Sequence, residues 1–384
     1  MYRALYWLAS VCALAASLAL AAPGTATAAG PPGGGISFAV APAMPGRLYG
    51  VAAVSDRDVW AAGLSGGSAL IVHWNGSTWS QAQPASGYFN GLAASPARDV
   101  WAVGGTSWFG AGKALAEHWD GSSWRQAATQ SPAGGGDFNA VTALSPSNAW
   151  AVGLVGPGPG TPSPTTPLIE HWNGKAWTIQ HIQVPAGGGQ FTGVAALSPS
   201  SAWAVGQTGE SSEGTGQRTL IEHWNGKAWT RVPTPNEGIM STLRAITVVS
   251  ADNAWAVGSY IATDGTNRTL ALYWNGKAWT VVPSATPGGD AQFLGVTASW
   301  THNIWAVGYT NPTRCGHGPQ CQTLIEHWNS IHDIWRVLPS PNPPSGYLNV
   351  LWGISAVTRG DIWAVGTTDY NSTLIIHWNG TAWS

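Results

Sequence analysis

Charge is scarce in this chain. Only 9% of its 384 residues are Asp, Glu, Lys or Arg, and the formal net charge is −2. Without a basic footprint there is nothing to grip a phosphate backbone, so nucleic acid is excluded as an expected partner. Cysteine is scarcer still, at 3 residues, one of which is Cys12 in the leader. Long apolar runs are confined to the first residues, and no later segment is apolar enough to span a bilayer. Disorder is excluded from the other side, because 44% of the residues are hydrophobic and 25 are Trp. With 50 Gly and 26 Pro, the composition is that of a folded, turn-rich, all-β protein.

The leader MYRALYWLASVCALAASLALAAPGTATAAG carries one basic residue, Arg3, then an apolar run and a small-residue site at Ala26-Thr27-Ala28. That layout predicts a signal peptide over residues 1–28 and a secreted or envelope-associated protein, with a membrane anchor as the alternative. Val11 stands before Cys12 where a lipoprotein site needs a small residue. Residues 29–35 read as a Gly/Pro-rich linker. The two remaining cysteines lie in Cys315-Gly-His-Gly-Pro-Gln-Cys321 and predict a loop disulfide, Cys315 to Cys321. A metal site using His317 lacks a visible fourth ligand. No metal and no cofactor is expected.

What the chain has in abundance is repetition. WAVG or a near copy begins at Trp60, Trp101, Trp150, Trp203, Trp255, Trp305 and Trp363, and a Leu or Phe stands twelve residues before each, from Leu48 and Phe89 to Phe293 and Leu351. A second Trp closes the HWNG-type segment at 74, 119, 172, 224, 274, 328 and 378, and a third follows at 79, 124, 177, 229, 279, 335 and 383. The seven units start near 48, 89, 138, 191, 243, 293 and 351.

Each unit parses into four short strands. Strand A is the F-x-G-V-x-A segment, strand B is WAVG, strand C is TLIEHW, and strand D starts at the third Trp. Asn-Gly in five units and Asp-Gly in a sixth separate C from D, a hairpin signal. The Asp, Asn or Ser two places before each WAVG Trp is expected to bond its own backbone and hold the A–B turn. Four antiparallel strands repeated seven times predict a seven-bladed β-propeller over residues 36–384, in which 21 of the 25 Trp fill space between blades. The chain stops at Ser384 as the last strand D begins, so the segment ISFAVAP at 36–42 is expected to complete the last blade.

The unit, with its WAVG strand and its H-W-N-G-K-A-W segment at 223–229, resembles the secreted bacterial repeats of the Asp-box (BNR) and kelch-like propeller superfamily. It departs from an Asp-box by one residue in length and by Asn where Asp is usual. The kelch Gly-Gly doublet and the WD signature are missing. Sialidases on Asp-box propellers carry an Arg triad and an R-I-P segment that do not map here, so the resemblance implies architecture and no catalytic residue.

His73, His118, His171, His223, His327 and His377 recur in strand C, and Glu117, Glu170, Glu222 and Glu326 precede four of them. Seven blade-equivalent positions fan around a ring and cannot converge on one ion, so these are expected to be structural. Function is expected where the repeats disagree, on the face carrying the B–C and D–A loops. Candidate ligand-binding residues there are Trp108, Phe109, Tyr260, Tyr309 and Tyr370, together with the variable second position of strand A: Tyr49, Asn90, Asn139, Thr192, Arg244, Leu294 and Trp352. Aromatic platforms beside amides suit a glycan or a protein ligand. The expectation is a monomeric binding module for an extracellular glycan or protein. The alternatives are a structural, self-associating envelope protein and, behind it, a glycoside hydrolase or lyase using carboxylates among Glu210, Glu213, Asp264, Asp290 and Asp369.

Overall fold

The computed structural model describes residues 43–82, 87–96, 99–107, 112–132, 135–156, 165–209, 216–311, 321–329, 334–343, 348–369 and 371–384. These form seven antiparallel sheets, each with its strands in chain order, A to D. Strands A are Arg47–Ser55, Tyr88–Ala94, Gly136–Ser145, Gly189–Ser198, Met240–Ser250, Ala291–Trp300 and Asn349–Thr358 in blades 1 to 7. Each lies beside strand A of the next blade, and the seventh lies beside the first. The chain is a seven-bladed β-propeller, as its repeats predict.

Tryptophan closes the ring. Trp60 of blade 1 packs against Trp119 and Trp124 of blade 2 with ring centroids 5.1 and 5.4 Å away. The same triad recurs at every boundary, ending with Trp363 of blade 7 against Trp74 and Trp79 of blade 1 at 6.2 and 5.8 Å. The WAVG tryptophans are at most 4% exposed. Burying an indole contributes roughly 4–6 kcal/mol gross at about 25 cal/mol per Å².

The strand C histidines are bonded within their own blades. His73 hydrogen-bonds Asp58 at 2.9 Å, His171 Asn148 at 3.1 Å, His327 Asn303 at 2.7 Å and His377 Asp361 at 2.8 Å, and His73 also stacks on Trp60. This alters the expected job of the Asp, Asn or Ser before each Trp. In six blades its side chain ties strand B to strand C, and in blade 5 Asn253 Nδ2 donates instead to Thr301 O of blade 6 at 3.0 Å. The A–B turn is held by an earlier hydroxyl, as where Ser198 Oγ accepts from the Ser200 N–H at 3.3 Å. The outer hairpin also differs from a two-residue turn. The four residues Asn225–Ala228 separate the paired Trp224 and Trp229, with the Asn225 side chain accepting from the N–H groups of Lys227 and Ala228.

Buried strand C glutamates join blades. Gln130 N–H in the tail of blade 2 donates to Glu170 of blade 3, and Ala285 N–H of blade 5 donates to Glu326 of blade 6, both at 3.1 Å. Burial pushes the Glu326 carboxyl up to about 8 and that of Glu170 above the ordinary carboxylate range.

Six sheets have four strands and the last has three among the described residues. Its missing outer strand is begun by Trp383, bridged to Trp378, and by Ser384, which exchanges backbone hydrogen bonds with His377. At the other end of the same strand C, Thr373 N–H donates to Met44 O and Gly46 N–H to Asn371 O, each at 2.9 Å. The amino-terminal side of the domain is thus tied to blade 7. Residues 36–42, expected to fill the interval, lie outside the described residues.

Candidate functional site

Every strand A carries an extra residue against its strand B near its start, and all but the blade 2 strand show a second register shift beside the A–B turn. The register slips between Leu48 and Gly50, between Phe89 and Gly91, and at the equivalent step in each blade, leaving Tyr49, Asn90, Asn139, Thr192, Arg244, Leu294 and Trp352 as the bulged residues. A bulge bends its strand and re-aims a side chain. The glycine of WAVG is its counterpart. A Cβ at Gly206 would collide with the Gln190 carbonyl oxygen, and the equivalent glycine of every other blade meets the same obstruction. The repeated F-x-G and WAVG segments therefore build one device, seven times over.

All seven bulged residues line one cup of about 200 Å³ on the propeller axis, and all are half-buried. Two residues further along, an aliphatic side chain from each blade, from Val51 to Ile354, lines the same cup, each 7–8% exposed. The cup is polar on one arc and aromatic on the other. Asn90 Nδ2 donates to Phe138 O at 2.9 Å, Asn139 Nδ2 to Phe191 O at 2.7 Å and Thr192 Oγ1 to Leu243 O at 2.7 Å, so the three successive boundaries from blade 2 to blade 5 are stapled by variable residues. The opposite arc holds Arg244, Leu294, Trp352 and Tyr49, with the Tyr49 and Trp352 rings edge to face at 5.6 Å. Tyr49 is hydrogen-bonded to Arg47, and burial raises its phenol above the ordinary value.

Tyr260 and Tyr309 lie in strands B of blades 5 and 6 and are not part of the cup wall. Trp108, Phe109, Tyr370, Glu210, Glu213 and Cys315 lie outside the described residues, whereas Cys321 is buried. The Asp264 carboxylate is held by Thr266 and by Arg268 at 2.7 Å, which lowers it below the usual range. Among the described residues no three His, Cys, Asp or Glu side chains gather as a metal site.

One residue beside the cup was not singled out from the sequence. Asp137 precedes Phe138 in blade 3 and accepts from Tyr88 Oη at 2.5 Å and from Asn90 Nδ2 at 3.3 Å, both in blade 2. The signal was available: aligned on the same repeat, it is the one acid at its position in seven.

No family model and no curated protein sequence matches the chain. Solved structures do. YCF48 bound to a D1 peptide is similar over 88% of this chain and 94% of its own, with a TM-score of 0.53 and 16% identity. YCF48 from Cyanidioschyzon merolae gives 0.52 at 14% identity, over 89% and 98%, and U3-55K gives 0.56 at 11%, over 88% and 97%. The likeness is one of fold. At these identities it places the chain beside YCF48 and WD40-type seven-bladed propellers without assigning it to a family.

Proposed function

We propose that this chain is a binding module whose axial cup takes an apolar side chain from a protein or peptide segment. The observation that carries the reading is the convergence of seven variable bulge residues on one cup, with a continuous arc of Arg244, Leu294, Trp352 and Tyr49 over an aliphatic floor. Aromatic and Arg side chains around a small desolvated pocket make the anchor sites of protein interfaces. A glycan is less well served, because Asn90, Asn139 and Thr192 each direct a donor to a neighbouring carbonyl rather than to a ligand hydroxyl. The propeller fold it has in common with YCF48, a protein seen with a D1 peptide, is consistent with a peptide at such a site. Secretion through the 1–28 leader, and any descent from Asp-box or kelch-like repeats, belong to the same proposal.

The test is a peptide-display selection run beside a glycan array on the purified protein. Selected peptides should share an apolar residue, and Trp352→Ala and Tyr49→Ala should each weaken them at least about tenfold. Trp300→Ala should change nothing: that residue is 62% exposed and not part of the cup wall. Binding only to glycans, or peptide binding untouched by both cup variants, would overturn the reading.

A further inference from the structure

Charge is unevenly placed around the cup. Of the seven bulged residues only Arg244 is charged, and among the described residues the wall holds no Asp or Glu. A second guanidinium stands at the far end of the same arc, where Arg47 is hydrogen-bonded to Tyr49. The aromatic arc is therefore positive at both ends, with Leu294 and Trp352 between them. Asp137, the acid beside the cup, belongs to the polar arc, where it is bonded to Tyr88 and Asn90.

A positive charge in such a place has a chemical consequence. Low-dielectric walls focus its field into the cavity, and a half-buried guanidinium is best matched by an acceptor with two oxygens in one plane. The polar arc does not draw an anion the other way, because Asn90, Asn139 and Thr192 direct their donors to carbonyls of neighbouring blades. A doubly charged phosphate calls for more cations than the wall contains. A carboxylate does not. The cup, at about 200 Å³, is somewhat larger than the roughly 150 Å³ that encloses benzene. It has room for one apolar side chain with a carboxylate beside it.

We propose that the segment bound in the cup carries a carboxylate next to its apolar side chain: Arg244 pairs with the carboxylate, while Leu294 and Trp352 receive the apolar group. Arg244 is thereby a specificity-determining residue. The inference rests on the cup being a peptide site and adds the charge of the peptide to that reading. The carboxylate comes from the C-terminus of the partner chain or from an Asp or Glu adjoining the apolar residue. Both present the same group to the guanidinium.

The experiment selects peptides on the purified protein from two random libraries, one displayed with free C-termini and one with the random stretch internal. Selected peptides should pair an apolar residue with a carboxylate. Binders from the free-terminus library alone identify the C-terminus as its source, and Asp or Glu enriched in the internal library identifies a side chain. Converting that carboxylate to its amide should weaken a selected peptide at least about tenfold on the wild type and no more than about twofold on Arg244→Gln. Added salt should weaken the acid form more than the amide. Peptides that share an apolar residue but lose nothing on amidation would overturn this inference and leave the apolar-anchor reading standing. An amide penalty of the same size on Arg244→Gln would overturn it too. Failure to select any peptide, or binding untouched by Trp352→Ala and Tyr49→Ala, defeats the underlying reading and this one with it. If Arg244→Gln does not fold, the amide comparison and its salt dependence on the wild type decide the matter.

Discussion

Asn139 of blade 3 donates through Nδ2 to the backbone carbonyl of Phe191 in blade 4 at 2.7 Å. A residue at a variable position of the repeat thus serves as a fastener between blades, and its counterparts Asn90 and Thr192 do the same. The two arcs of the cup should therefore answer differently to mutation. Asn139→Ala leaves the Phe191 carbonyl without its donor and should cost about 1–3 kcal/mol in urea unfolding. Trp352→Ala should cost less stability than Trp101→Ala and more affinity for a selected peptide. Equal affinity losses from Asn139→Ala and Trp352→Ala would show that the arcs are not distinct.

Trp101 is fully buried at the boundary with blade 3, its ring 5.0 Å from both Trp172 and Trp177. Trp101→Ala should lower stability by about 3–5 kcal/mol, the range for truncating a buried aromatic. Trp300, 62% exposed with Arg359 over its ring at 5.3 Å, should change stability by less than about 0.5 kcal/mol when truncated. Denaturant midpoints of the two variants check the contrast.

Gly206 can be replaced by no other residue without moving strand A of its blade. Gly206→Ala sets a Cβ against the Gln190 carbonyl, beside the Thr192 bulge, so it should either prevent folding or displace Thr192 from its bond to Leu243. Gly66, which has open space around it and lies at φ 57°, should tolerate the same change with a cost of about 1 kcal/mol from its backbone conformation alone. Soluble yield and melting temperature separate the two.

Glu326 gives stability a pH dependence of definite sign. Its folded value, about 8, lies above the ordinary 4.5, so the folded state holds the proton more tightly. Its contribution is fully present below about pH 4.5 and is lost as pH rises through about 8. Glu326→Gln can still accept from Ala285 N–H and cannot ionise, so it should equal the wild type near pH 5 and exceed it by about 1 kcal/mol or more near pH 9. Urea unfolding across that range, with no divergence between the two proteins, would refute the assignment.

The sequence by itself determined the propeller: repeats with a constant twelve-residue interval from strand A to the WAVG Trp carry three Trp, a hairpin Asn or Asp and a turn, and these act locally or between neighbours of the same kind. It also told against a strand C metal centre, because six His at blade-equivalent positions fan around the ring and cannot converge. The tertiary structure decided which variable residues meet. Tyr49 and Trp352 are separated by nearly the whole chain and touch because the ring closes. Tyr260 and Tyr309, equally aromatic and equally irregular, sit on strands B, away from the cup wall. The bulges themselves could not be read from the spacing, since an extra strand A residue looks like any other until its partner strand is in place. Asp137 is the sharpest case. Its neighbours Tyr88 and Asn90 come from another blade, and it is their approach together with burial, neither encoded within the repeat, that turns an ordinary aspartate into a group able to titrate near neutrality.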